Sequence, residues 1–305
     1  MAIFEQFKNH RFNRSAAATL DMANAIIEEF TADGYTLTLR QLYYQFVGGG
    51  HIENSEKEYK RLGRIVTNAR EAGRMDWNAI EDRGRGTYGP NPQESVSAIL
   101  DGIDLLIDFD YWARQDHYVE VWVEKQALES VVERGCDEVR VNYMACKGYL
   151  SASEAWRAGR RFRRAVQMGK TPILIHLADH DPSGLDMTND NSKRINLFAK
   201  RGVAIRRIAL NMDQVEQYKP PPNPAKITDS RFKAYQHEFG DESWELDALK
   251  PGVIENLIKD TVEEYIDWEV WRETEREENE TRKPLAALSD NWVQVRQYLS
   301  DEGLI

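Results

Sequence analysis

The sequence predicts an α/β protein: an N-terminal winged-helix-like helical domain, then a Rossmann-like parallel sheet, then a helical extension. Three observations predict it. Three short amphipathic helical patterns joined by tight turns run from Ala16 to Ala69. From His117 onward, strand-like and helix-like segments alternate. One of those strands, Pro172 to Ala178 (PILIHLA), is a continuous apolar run, as expected of a strand covered on both faces in a parallel sheet.

The elements follow in order. Ala16 to Ala32 is amphipathic and ends at Asp33-Gly34. Thr38 followed three residues later by Gln41 is a capping box that opens a second helix. Its apolar stripe is Leu39, Leu42, Tyr43 and Phe46, and Gly48-Gly49-Gly50 stops it. Ser55 and Glu58 form another box. The helix they open puts Tyr59, Leu62, Val66 and Ala69 on one face and Lys57, Lys60, Arg61 and Arg64 on the other. A basic face on the third helix of such a module suggests contact with DNA phosphates. The Gly/Pro-rich stretch from Arg83 to Pro92 reads as a linker. After it come a strand (His117–Val123), a helix (Lys125–Val132), a strand (Val139–Cys146) and a helix (Ala152–Gln167). The strand Pro172–Ala178, a helix (Leu185–Lys200) and a strand (Val203–Leu210) complete the alternation. Ile254 to Arg282 is a long acidic helical pattern. The expected domains are 1–90, 91–250 and 251–305.

Composition narrows the function classes. The 305 residues are 41% hydrophobic and 30% charged, and no apolar run is long enough for a membrane-spanning helix. The first residues lack the apolar core of a secretory signal, and two cysteines make neither a disulfide framework nor a zinc ligand set. The expectation is a cytoplasmic, DNA-associated protein. The net charge of −11 opposes nucleic-acid binding as a sum. However, the acid concentrates between Glu255 and Glu280, whereas basic clusters lie earlier, at Lys60–Arg64 and Arg157–Arg164. Gly169-Lys170-Thr171 imitates the end of a phosphate-binding loop, but it follows a helix and precedes a strand, the reverse of that motif. No ATPase is expected in this chain.

Two predicted strand ends carry carboxylates: Glu124 after HYVEVWV, and Asp179 and Asp181 after PILIHLA. In open α/β sheets, sites form where strands end and helices begin. Asp179 and Asp181, two apart, share a face of an extended backbone, while His180 between them faces the other way and is expected to pack. Three hard oxygen ligands suit Mg²⁺, which would neutralise and orient a phosphodiester. The alternative is that these acids only cap helices, as Asp often does before Pro-Ser-Gly.

The segments VEVWVEKQAL, CKGYLSASEAW and LIHLADHDPSGLDM, in this order, resemble the Toprim domain. They are most similar to its version in the A subunit of type IIB topoisomerases (topoisomerase VI) and in their meiotic double-strand-break relatives. Lys226-Ile-Thr-Asp229 and Trp244-Glu-Leu-Asp-Ala-Leu249 resemble the closing elements of that family. The resemblance implies Mg²⁺ ligation by Glu124, Asp179 and Asp181, with Glu124 alternatively a general acid/base. It extends the set of DNA-contacting residues to Lys125 and Lys147.

That family cleaves DNA with the second tyrosine of an Arg-x-x-Tyr-Tyr motif, here Arg40-Gln-Leu-Tyr43-Tyr44. Tyr43 lies on the apolar stripe. Tyr44 sits about 100° round the helix, one turn from Arg40. A phenol with a pKa of about 10 is a poor nucleophile at neutral pH, and an adjacent guanidinium would favour phenolate and hold phosphate. The resemblance therefore implies Mg²⁺-dependent transesterification of double-stranded DNA by Tyr44, assisted by Arg40. It also implies a homodimer in which one subunit's tyrosine meets the other's metal, and a separately encoded B-type ATPase subunit. The alternatives are a Toprim nuclease that hydrolyses without a covalent intermediate, and a non-catalytic DNA-binding protein of the same fold.

Overall fold

The structure, a computed structural model, describes residues 2–81 and 106–304. The expected linker Arg83–Pro92 and the boundary at 90 lie outside them. The described residues fall into two compact units, 2–81 with 119–263, and 106–118 with 264–304. The N-terminal helices and the sheet thus belong to one unit.

In the first unit, α1 (Arg14–Ala32) starts two residues earlier than periodicity suggests, because Asn13 accepts the Ala16 N–H as its cap. α2 (Leu39–Gly48) carries both halves of the expected capping box between Thr38 and Gln41. α3 (Glu56–Glu71) is capped by Ser55, which accepts the Glu58 N–H. Leu20, Ile27, Phe30, Leu42, Phe46, Leu62 and Val66 bury one shared core between the three helices. Among the described residues this part has only isolated bridges, Gln6–Ala72 and Leu37–Ile80, and no wing hairpin.

The sheet has four strands: β1 (His117–Val123), β2 (Asn142–Ala145), β3 (Thr171–Leu177) and β4 (Ala204–Ala209). Their order is β2-β1-β3-β4, with β1 parallel to β2 and β3 parallel to β4. Each expected strand is present, with β2 shorter than the sequence suggests because Val139 and Val141 belong to the turn that precedes it. After β1 comes a 3-10 turn at Gln126–Leu128 and then α4 (Glu129–Glu138), where one continuous helix was expected. α5 (Ala152–Gln167) follows β2 and packs on α6 (Pro182–Ala199), which follows β3. A Cβ on Gly159 of α5 would lie 2.3 Å from the Phe198 Cβ, so only glycine permits this approach.

The rest of this unit comprises α7 (Met212–Tyr218), a two-residue antiparallel pair β5/β6 (Asn223–Pro224 and Glu242–Ser243), and α8 (Phe232–Phe239). A 3-10 turn (Leu246–Ala248) and α9 (Pro251–Glu263) follow. The long acidic pattern is therefore broken: α9 packs on α4, and a separate helix, α10 (Trp268–Asp290), starts after the Asp267 cap. In the second unit, α10 is followed by α11 (Trp292–Asp301). Trp271 of α10 meets Tyr111 and Trp112, and Arg114 reaches Thr274 and Glu277. No helix of the described residues is long and apolar enough to cross a membrane.

Candidate active site

The strand order places the site. From β1 the chain passes to β2 on one side, and from β3 to β4 on the other. The crevice at the carboxyl ends of adjacent β1 and β3 is thus a topological switch point, where open α/β sheets bind ligands. Glu124-Lys125 and Asp179–Asp181 stand there.

A third segment comes in from far along the chain. His180 and Trp244 exchange backbone hydrogen bonds of 2.8 and 3.0 Å, which brings Glu245 and Asp247 beside the strand ends. The Asp179 Oδ1 accepts the Leu246 N–H at 2.8 Å. Among the described residues, the group of three possible metal-ligating side chains whose ligand atoms lie within 4.8 Å of one another is Asp179, Glu245 and Asp247. This cluster can hold a metal ion: it offers hard oxygens, and Asp247 is 1% exposed.

The Lys125 ammonium lies among the same three carboxylates, 2.9 Å from Asp179, 2.8 Å from Asp247 and in contact with Glu245. Arg40 reaches the cluster from α2. Its Nε is 3.2 Å from the Asp247 Oδ2, and its terminal nitrogen touches Glu245 and donates to the Tyr44 hydroxyl at 3.3 Å. Two cations thus face three carboxylates, one short of balance. Burial opposes the charge on Lys125, but Asp179, Asp247 and Glu245 outweigh it and push the lysine above its ordinary range. Burial likewise opposes charge on Arg40, and Asp247 and Glu245 outweigh it. Glu245 is held below the usual carboxylate range, because Lys125 and Arg40 overcome its burial. Asp179 goes the other way: burial outweighs Lys125 and raises it to about 7.

Glu124 and Asp181 flank this cluster. Glu124 accepts the Asp179 N–H at 3.1 Å, and burial, with Asp181 nearby, raises its pKa. Asp181 caps α6, accepting the Gly184 N–H at 2.6 Å, the capping alternative that its Pro-Ser-Gly context offered. Gly184 is required here, since a Cβ would lie 2.2 Å from the Asp179 carbonyl oxygen. Arg207 of β4, which the sequence did not single out, braces the loop from behind. It donates to the carbonyls of Ala178, Asp179, Gly184 and Leu210 at 2.7–3.1 Å. Burial lowers its pKa to about 10. His180 packs away from the carboxylates, against Tyr235, Phe239 and Trp244.

Arg40 and Tyr44 meet as helix geometry requires. Tyr44, however, is not on an open face: it is 5% exposed, as is Tyr43. Segments distant in sequence cover it, with Asn223 and Glu245 beside its hydroxyl. The expected acidification of the phenol is also reversed in this arrangement. Burial and Glu245 outweigh Arg40, and the phenol is pushed up to about 12. A cavity of about 200 Å³ opens beside it, lined by Arg40, Asn54, Ser55 and Tyr59 among others. The Tyr43 hydroxyl accepts the Ser55 N–H at 2.7 Å and pairs with Asn54 at 2.9 Å.

The expected DNA-contacting residues divide. Lys57, Arg64 and Lys147 are exposed, with no ion pair shown among the described residues. Lys60 pairs with Glu56 and Arg61 with Glu58 on α3 itself. Lys125 differs from these: its side chain is 17% exposed and pairs with the carboxylates. The arginine face of α5 is also partly committed, since Arg161 forms two hydrogen bonds, 2.7 and 2.8 Å, with buried Glu120. Besides Arg207, sequence reasoning missed the clustered carboxylates Glu245 and Asp247. The available signal was the pair of carboxylates two apart, repeating the spacing of Asp179 and Asp181. Compared with protein-family models and with curated proteins, the chain matches none.

Proposed function

We propose that this chain cleaves double-stranded DNA by Mg²⁺-dependent transesterification, with Tyr44 as nucleophile, in the manner of the type IIB topoisomerase A subunits its motifs resemble. One observation carries the reading: a tyrosine–arginine pair on an N-terminal helix lies against an acidic cluster at the switch point of a parallel sheet. The donor set fits a divalent cation, which Asp179, Glu245 and Asp247 would hold with Glu124 and Asp181 beside them. Such an ion supplies charge neutralisation at the phosphodiester. The Tyr44 oxygen forms a bond to phosphorus, the bond from phosphorus to the 3′ oxygen breaks, and the phenol proton leaves as the 3′ oxygen gains one. The products are a 5′-phosphotyrosyl link and a free 3′-OH. Arg40 orients Tyr44 and offers donors to a phosphate. Lys57, Arg64 and Lys147 supply exposed cations for the duplex backbone. By the same resemblance the active form is a homodimer, working with an ATPase subunit encoded separately.

A second reading, hydrolysis by water at the same acidic centre, draws on Tyr44 itself, whose phenol is pushed up to about 12. Denaturing electrophoresis of end-labelled duplex with Mg²⁺ or Mn²⁺ separates the two. Tyr44→Phe should abolish a covalent protein–DNA adduct while the chain stays folded. Metal-dependent nicking that survives this change without any adduct selects the nuclease, and an adduct surviving it removes Tyr44 from the chemistry.

A further inference from the structure

The acidic cluster is not open. Lys125 leaves the carboxyl end of β1 and sets its ammonium among Asp179, Glu245 and Asp247, the three side chains whose ligand atoms lie within 4.8 Å of one another. The ammonium hydrogen-bonds to Asp247 Oδ1, while Oδ2 of that fully buried carboxylate has no hydrogen-bond partner. Arg40 Nε approaches Oδ2 at 3.2 Å but is not aligned to donate. That oxygen is held inside the cluster by an ion pair to Arg40 and by no hydrogen bond, so it keeps lone pairs that a cation could take.

We propose that Lys125 is the resident cation of this cluster and that a divalent metal ion binds there by displacing it. The inference rests on the reading of the cluster as a metal centre and adds an exchange to it. The ammonium and the ion need the same carboxylate oxygens, so while the ammonium sits among all three the ion cannot coordinate them. Lysine suits the exchange, being a point charge on a flexible four-carbon stem rather than a fixed fork. The carboxylates are thus never left uncompensated in low dielectric, and metal entry does not require three bare anions to pre-exist. Once displaced, Lys125 is still anchored at the end of β1, beside the crevice, where it can meet a substrate phosphate. Its commitment to the carboxylates is then a property of the metal-free state, and its DNA contact a property of the loaded one.

The test needs no DNA and no cleavage, so its failure is distinct from failure of the proposed activity. Mn²⁺ binding to the full-length chain is measured by electron paramagnetic resonance for wild type, Lys125→Met and Asp247→Asn. Removing the competing cation should tighten Mn²⁺ binding about tenfold or more, and removing a ligand charge should weaken it by a similar factor. Because Lys125→Met can lose stability, a second readout uses the wild-type chain. Its lysine side-chain ¹⁵N spectrum should show a protected Lys125 ammonium that saturating Mg²⁺ abolishes. Binding that is unchanged or weaker in folded Lys125→Met, or an ammonium signal that persists at saturating Mg²⁺, overturns the exchange. Equal Mn²⁺ affinity in wild type and Asp247→Asn removes the cluster as the site.

Discussion

Replacing Lys125 by methionine keeps the length of the side chain and deletes its charge, so its effect on stability can be worked from the structure. The ammonium lies 2.9 and 2.8 Å from Asp179 and Asp247 and touches Glu245, with 17% of the side chain exposed. At an effective dielectric of about 20, each attraction at ~3 Å is roughly 5 kcal/mol before the cost of taking the ammonium out of water. Breaking a buried pair by removing one partner costs about 3–5 kcal/mol net. That is the loss expected at pH 8 in the absence of divalent metal. The pH dependence follows from the carboxylates. Asp179 is already raised to about 7 with Lys125 in place, so without it this carboxyl takes a proton more readily still. Wild type and variant thus both bind more protons folded than unfolded from roughly pH 4 to about 7 and lose stability together as pH rises, and only the variant goes on losing it above about pH 7. Lysine itself adds no slope there, because its folded pKa is raised and its contribution is complete below the unfolded value. Urea unfolding followed by circular dichroism should show curves that run parallel below about pH 7 and a variant deficit that widens between roughly pH 7 and 8.5. Wild-type and variant curves within about 1 kcal/mol at pH 8, or still parallel above about pH 7, would refute the electrostatic account.

Other substitutions probe the frame around the cluster. Gly184→Ala puts a Cβ 2.2 Å from the Asp179 carbonyl oxygen, so the loop must move. A loss of about 1–3 kcal/mol in unfolding experiments and reduced Mn²⁺ affinity are expected together. Tyr43→Phe strands the Ser55 N–H at the start of α3 and should cost about 1–3 kcal/mol while leaving adduct formation intact. Asp181→Ala removes the α6 cap and should cost about 1 kcal/mol, with Asp181→Asn recovering most of it in the same thermal melts.

The sequence announced whatever local periodicity encodes. The capping box at Thr38, the cap at Ser55, the helix Ala152–Gln167 and the four strands are set by spacing within a few residues, and all appear, although the Glu58 carboxylate pairs with Arg61 rather than closing a second box. Boundaries moved where a side-chain cap, not hydropathy, decides them: Asn13 advances α1, and Asp181 advances α6 to Pro182. What local patterns could not reveal is what the chain's return covers. Trp244 to Asp247 has no helical or strand period to mark it, yet its two backbone bonds to His180 deliver two of the three clustered carboxylates. The same return, with Asn223, buries Tyr44 and reverses the expected effect of Arg40 on its acidity. Helix geometry paired the right residues, but burial set the electrostatics.

Arg40 is where the two halves of the first unit become one site. A guanidinium has five donors in a rigid fork, so a single side chain can hold several acceptors in fixed relation. Here it spans Asp247, Glu245 and Tyr44, one turn along α2. A lysine at this position could neutralise the cluster but could not also set the tyrosine's direction. The consequence concerns assembly. The resemblance expects a tyrosine from one subunit at the metal of another, yet within this single chain Tyr44 already stands beside Glu245, through the same arginine that contacts Asp247. Whatever a second copy contributes, it is not needed to bring the phenol to these carboxylates. A trans arrangement would require Arg40 to release Glu245 and Asp247, exchanging two charge contacts for new ones across an interface. Lys125 displacement by a metal ion would begin that loosening, because the carboxylates Arg40 holds are the ones the ion would claim.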